Sequence, residues 1–266
     1  MKNINIFSSY EDFLYNLKNP GIWAQISFHD IKQRYKRSKI GPLWVTISTS
    51  IVVFFLSILY SKLLNVPLEN YLPYIAISLI LWGLISVIIL ESCEVFIGSS
   101  QMLLQLRLPF YFYIFRLVSR NFIIFAHNSI LLILVMVIYP ELFNFEFLIF
   151  LPISLILYFI SGVSIGMICG ILCTRFRDIT HIAINLVQLS FFMTPILWKK
   201  EMIEENNRWI IDFNIFNHYL DIMRSAFLNQ DYAYKSLLIV VIFTFLLFML
   251  SFLLFRKYKK QINYWL

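Results

Sequence analysis

The chain has 266 residues, of which 60% are hydrophobic and only 14% charged, and its mean hydropathy is +0.75. Soluble domains run at roughly 45–50% apolar and about 25% charged, so a soluble enzyme, a disordered chain and a secreted disulfide scaffold are excluded and a polytopic membrane protein is indicated. The net charge of +7, from 22 Lys+Arg against 15 Asp+Glu, fits nucleic acid or a membrane protein anchored at the cytoplasm, and the placement of the charges decides between them.

In chain order, 39 mixed residues precede the first long apolar run, which is unlike a cleavable signal peptide. Within them Ile22–Tyr35 sets Trp23, Ile31 and Tyr35 four or eight apart, away from Asp30, Lys32 and Arg34. This predicts either a helix lying in the cytoplasmic interface or a solvated helix end. Six runs near the length of a span follow: Ile40–Ser61, Tyr71–Leu90, Phe122–Tyr139, Phe147–Cys173, Ile179–Leu197 and Leu237–Phe255. The fourth is long enough to tilt. Between the last two, Lys199–Lys235 carries Trp209, Phe213, Phe216, Tyr219, Ile222, Met223 and Phe227 among charges. That is too apolar for a free loop and too polar to span, and short outer helices dipping back into the bilayer are expected. The predicted fold is therefore all-α: six transmembrane helices, an N-terminal interfacial helix and outer re-entrant helices before the last span. The predicted division is 1–39 as a cytoplasmic segment and 40–266 as one transmembrane domain.

Six spans put both termini on one side. With residues 1–39, the loops after spans two and four, and the tail, that side holds sixteen Lys/Arg against six on the other. The richer side is expected to be cytoplasmic.

The chemistry of an enzyme is missing from the pattern. No G-x-x-x-x-G-K-[ST] is present, so ATP hydrolysis by that route is excluded. No H-E-x-x-H, G-x-S-x-G or clustered acidic metal motif occurs either. Cys93, Cys169 and Cys173 all lie in apolar runs, against a disulfide framework or zinc site. His127 is mid-span: a proton relay, or the neutral packing residue that a lone membrane histidine more often is. Glu91 and Glu94 close span two at i, i+3; an acid–base pair is one reading and a solvated helix end the simpler one. Gly162, Gly166 and Gly170 align on one face of span four, where either an intrachain neighbour or a second copy can approach closely. The Arg34–Lys39 cluster could receive a phosphate at the membrane surface, but plain positive-inside anchoring, the simpler reading, needs no ligand. No internal repeat supports the plan of a secondary transporter.

Several stretches together resemble a known family. His29-Asp30-Ile31-Lys32-Gln33-Arg34-Tyr35-Lys36-Arg37-Ser38-Lys39-Ile40-Gly41-Pro42-Leu43-Trp44 looks like the entry signature of the permeases of type-2 ABC exporters for lipid-linked polysaccharide, the O-antigen and teichoic-acid exporter family. Leu106-Arg107-Leu108-Pro109, Arg175-Phe176-Arg177-Asp178-Ile179, Met193-Thr194-Pro195-Ile196-Leu197-Trp198 and Asn214 through Leu228 resemble, in order, its later cytoplasmic and outer segments. The chain departs from the family pattern at His29, where Arg often precedes the Asp, and at Asn214-Ile215, where Asn-Pro is usual.

The resemblance implies a half-transporter of the bacterial inner membrane with both termini cytoplasmic. Two copies would form a channel above two separate ATPase subunits, which would bind the ATP and magnesium; the chain itself would hold no cofactor or metal and bind no nucleic acid. Gln101, Gln105, Arg107 and Pro109, with Arg175, Arg177 and Asp178, would contact the ATPase. Arg34, Tyr35, Lys36, Arg37 and Lys39 would receive the lipid-linked glycan. Trp44, Phe55, Phe191, Phe192 and Trp198 are channel-lining candidates, because apolar sugar faces stack on aromatic rings. Wall teichoic acid, capsule, a drug or a small lipid are alternative cargoes on the same fold. A membrane acyl- or glycosyltransferase is the different class, but Glu91, Glu94, His127 and His181 do not converge by spacing.

Overall fold

The computed structural model describes residues 8–36, 38–41, 43–106, 108–142, 145–230 and 233–266. The expected contacts of Arg37 and Arg107 lie outside the described residues, as does Pro42 of the entry stretch. Among the described residues five helices are long and apolar enough to cross a membrane: α3 (Leu43–Leu63), α4 (Leu68–Cys93), α6 (Phe110–Ile138), α7 (Phe145–Arg175) and α11 (Tyr234–Trp265). They are preceded by α1 (Ser9–Lys18) and α2 (Pro20–Arg34), and interleaved with α5 (Ser100–Gln105), α8 (Asp178–Met193), α9 (Trp209–Asp212) and α10 (Ile215–Phe227).

Local chemistry sets these boundaries. Ser8 opens α1 with a capping box: its hydroxyl accepts from Glu11 N–H, and the Glu11 carboxylate accepts from Ser8 N–H. Pro20 takes the first position of α2, where a missing N–H costs nothing. Gly41, at φ +65°, turns the chain between α2 and α3. The expected fifth span is shorter as a helix than its apolar run: α8 has 16 residues, about 24 Å, and the chain leaves helical geometry at Thr194, just before Pro195.

The core forms around α4. Two-thirds (67%) of its most apolar stretch is buried, whereas the corresponding figure is 17% for both α3 and α11. It touches α3, α6, α7, α8 and α10. The glycine face of α7 makes this possible within one chain. A Cβ at Gly166 would lie 2.8 Å from Ile114 of α6, and one at Gly170 would lie 2.8 Å from Val95 and 2.9 Å from Phe96, just beyond α4. The stripe therefore seats α7 on its own neighbours, which resolves the two readings open in the sequence.

The short helix α10 goes deeper than the expected helices resting on neighbouring spans. Every residue from Asn217 to Phe227 is buried. Tyr158 of α7 donates to the Tyr219 carbonyl at 2.7 Å, and the Tyr219 hydroxyl meets Ser161 of α7 and Thr244 of α11 at 2.5 and 2.8 Å. The helix is thus plugged into the bundle among α4, α7 and α11, not laid on its rim.

Gly170→Val is expected to lower the thermal unfolding midpoint of the detergent-solubilised protein, by about 1–3 kcal/mol of overpacking. Gly83→Ala, where an added Cβ has nothing within 4 Å, should melt like the parent.

Candidate functional site

Two ends of the bundle carry the polar groups. At the end holding both termini, α1 and α2 pack against α6. Helix α6 begins at Phe110, directly after Pro109, and its first amides need acceptors. Asp12 of α1 supplies them, taking Phe110 N–H at 3.1 Å and Tyr111 N–H at 3.0 Å, with Lys259 of α11 at 3.1 Å from the same carboxylate. Asp12 is 1% exposed. Burial pushes its carboxyl above the usual carboxylate range, with Lys259 and the two amides opposing.

Helix α2 is fixed by charge. Asp30 grips Arg116 of α6 through Nε at 2.6 Å and Nη2 at 2.7 Å, a two-pronged geometry that sets orientation as well as energy. Ser27 donates to the Arg116 carbonyl at 2.8 Å. Glu91 takes Arg120 and Asn121, each at 2.7 Å, and lies 3.8 Å from Arg34. The simpler expectation of a solvated end at Glu91 is corrected here: a carboxylate at that depth is held by three partners, whereas Glu94 is exposed. His127 sits with Nδ1 2.8 Å from its own helix's Ile123 carbonyl, the arrangement of a packing residue. A cavity of about 640 Å³ opens between the end of α4, α5 and α6, with Glu94, Gln101, Gln105 and Arg116 in its wall.

The sequence-predicted docking residues divide. Gln101 and Gln105 on α5, and Arg177 and Asp178 at the α7–α8 turn, are exposed. Pro109 is buried at the start of α6. Arg175 is tied back: its guanidinium lies 4.8 Å from the Phe176 ring and 5.7 and 5.3 Å from Tyr258 and Trp265 of α11. Of the entrance cluster, Lys36 and Lys39 are exposed, Arg34 leans to Glu91, and Tyr35 is half-buried.

The middle of the bundle leaves α3 and α8 uncovered. On α8 only Val187 is buried. His181, Asn185, Gln188 and Phe192 are all exposed and share one face by helical spacing. Of the aromatic candidates, Trp44, Phe55 and Phe192 are exposed at 55%, 65% and 62%. Phe191 turns inward, 5.9 Å from Trp82 of α4, and the Trp198 indole donates to the Phe192 carbonyl at 3.2 Å. The polar stripe on α8 is carried only by spacing, because its residues are single polar positions inside an apolar run. The Asp12 cap could not be read, since 98 residues separate it from Phe110.

At the other end, α8 stops and α10 enters. Asp221 of α10 pairs with Arg224 at 2.6 Å and with Lys200. Arg224, 4% exposed, reaches the Tyr74 hydroxyl at 2.9 Å and the Pro195 carbonyl at 2.8 Å. Asn214 caps α10 by accepting from Phe216 N–H at 3.0 Å, so the departure from Asn-Pro leaves the helix start intact.

Residues 24–228 match the family model of the ABC-2 type transporter. Two O-antigen export system permease proteins RfbA from Klebsiella pneumoniae are similar to this chain, at 25% and 23% identity over 234 residues, 88% of this chain and 90% of each relative. An O-antigen export system permease protein RfbA from Myxococcus xanthus is 20% identical over 187 residues, 70% of this chain and 72% of the relative.

Removing the long-range cap should be costly. Asp12→Ala leaves two helix amides and Lys259 without their shared acceptor, and is expected to destabilise the fold by about 1–3 kcal/mol. Glu11→Ala, which breaks only an exposed capping box, should cost no more than about 1 kcal/mol. Thermal unfolding of both variants in the same detergent tests the order.

Proposed function

Because this chain belongs to the ABC-2 type transporter family, we propose that it is the membrane-spanning half of an ATP-driven exporter of lipid-linked polysaccharide of the O-antigen kind. ABC-2 permeases are multi-pass membrane subunits that work with an ATPase partner. The cargo is carried over from the names of the relatives that align along nearly the whole chain. On this reading two copies face each other across a path in the bacterial inner membrane, with both termini cytoplasmic. Two ATPase subunits dock beneath and hold the ATP and magnesium.

The observation that best supports a path is the open face of α8. Polar side chains at membrane depth are expensive toward lipid and are found facing a bundle interior or a water-filled cavity. His181, Asn185 and Gln188 are uncovered within one copy, so a second copy and a wet path would supply the polar surroundings they need. Trp44, Phe55 and Phe192 offer ring faces beside a passing sugar chain. The lipid phosphate would be met at Lys36 and Lys39.

The chain's own contribution to coupling is mechanical. ATP binding would draw the ATPases together, and the exposed α5 and the Arg177–Asp178 turn would pass that movement to α4, α6 and α8. The energy available is the difference in ATP affinity between the closed and open states.

The purified chain alone is expected to show no ATPase activity, and coexpression with its partner ATPase to yield an active complex. In that complex Asn185→Leu with Gln188→Leu should reduce polysaccharide at the cell surface several-fold while ATP hydrolysis persists. Leu186→Ala should leave export unchanged. Arg177→Ala should separate hydrolysis from export. Undiminished export by both the double variant and Arg177→Ala would overturn the assignment of path and docking turn.

A further inference from the structure

Helix α8 is held weakly along its length and firmly at one point. It is too short for a hydrocarbon core of about 30 Å, and after Thr194, whose N–H closes the last helical bond to the Ser190 carbonyl at 2.9 Å, the chain continues as Pro195–Trp198 outside the helix. Backbone carbonyls cannot stay unpaired at such depth. Side chains from two other helices take them. The Tyr71 hydroxyl of α4 donates to the Leu197 carbonyl. The Tyr74 hydroxyl lies 2.7 Å from the carbonyls of both Pro195 and Trp198; having one proton, it donates to one at a time. Arg224 of α10 donates to the Pro195 carbonyl at 2.8 Å and to the Tyr74 oxygen at 2.9 Å. Asn214 holds the Thr194 hydroxyl at 2.9 Å. Arg224 is in turn braced by Asp221, and Asp221 by Lys200, two residues beyond the break. The result is a closed polar ring from the broken end of α8, through α4 and α10, back to the chain that follows α8.

We propose that Tyr71, Tyr74 and Arg224 are positioning residues that latch the outer end of α8 in the closed state of the path. The inference rests on the export reading, in which α8 lines that path. The bonds of the ring are suited to reversible release. Those that Tyr71, Tyr74 and Arg224 make to the Pro195, Leu197 and Trp198 carbonyls are hydroxyl or guanidinium hydrogen bonds, which water can replace one for one once the end of α8 moves. The ring borders an outward polar cavity of about 690 Å³, lined in part by Glu69, Asn70, Lys199 and Glu201, so replacement water is at hand. The strength of the ring then sets how often the outer end opens without ATP.

The test uses the assembled permease–ATPase complex in liposomes and planar bilayers. Tyr71→Phe and Tyr74→Phe keep the rings and remove the donors. Both variants should assemble and bind the ATPase like the parent. Ion leak without ATP should rise several-fold in each, and the double variant should leak more than either. Lys200→Met, which removes only the half-exposed brace, is the second route should a tyrosine variant fail to fold, and it should leak in the same direction. Parental leak in the folded variants would overturn the latch. A parent complex that hydrolyses ATP but places no polysaccharide outside the cell would overturn the export reading instead, so the two failures are told apart.

Discussion

A polypeptide in a bilayer must satisfy its backbone polar groups from within, and this constraint organises the molecule wherever a helix stops short. Long helices meet it by themselves. The break after α8 and the inserted helix α10 do not, and each recruits side chains from distant segments: Tyr71, Tyr74 and Arg224 for the break, and Tyr158 for α10, whose start is capped by its own neighbour Asn214. The buried Arg224–Asp221 pair follows from the same need. A lone guanidinium there would be untenable, whereas one that bonds a carboxylate, a phenol and a carbonyl together has its charge and several of its donors accounted for. Such a pair contributes less to net stability than to fixing one arrangement of α4, α8 and α10.

Close packing does the complementary work where no polar group is involved. Gly166 and Gly170 of α7 remove the side chains that would otherwise hold it away from α6 and from Val95 and Phe96 just beyond α4. The bundle therefore has a buried centre at α4, against which α6 and α7 pack, and a more open flank that includes α3 and α8, with α11 as little buried as α3. On the export reading this division is useful. The centre gives the flank something to move against, and the flank moves without breaking the core.

Much of this was legible in the sequence, for definite reasons. Apolar run length located the five long spans, although α6 begins at Phe110 rather than Phe122 because its first turns carry Arg116 and Arg120; the i, i+4 glycines marked the packing face of α7, and the aromatic-rich segment around Tyr219 announced a short inserted helix. What escaped were features set by partners far away in the chain. Glu91 looked like a solvated helix end because Arg120 and Asn121 are 29 and 30 residues distant. Run length also overstated α8, because apolar residues Ile196 and Leu197 continue the hydropathy after the backbone has left the helix. Of the proposed site, the exposed Arg177–Asp178 turn and Gln101 with Gln105 were placed by resemblance. Arg175, beside them in sequence, turned back onto the α11 rings, a difference that spacing alone does not carry.

The polar contacts at the two ends differ in kind, and the difference bears on how force would pass through the chain. At the end bearing the termini, α2 is joined to α6 by the two-pronged Asp30–Arg116 pair, and Arg120 and Arg34 link it on to Glu91 of α4. Charged, bidentate contacts resist sliding, so α2, α4 and α6 would respond to a push from below as one body. At the opposite end the contacts on α8 are single hydrogen bonds to carbonyls, each replaceable by water. On the export reading, a displacement entering at the first end would meet, at the second, attachments that water can replace. On that reading movement concentrates at the end of α8 held by those bonds, while α2, α4 and α6 keep their register.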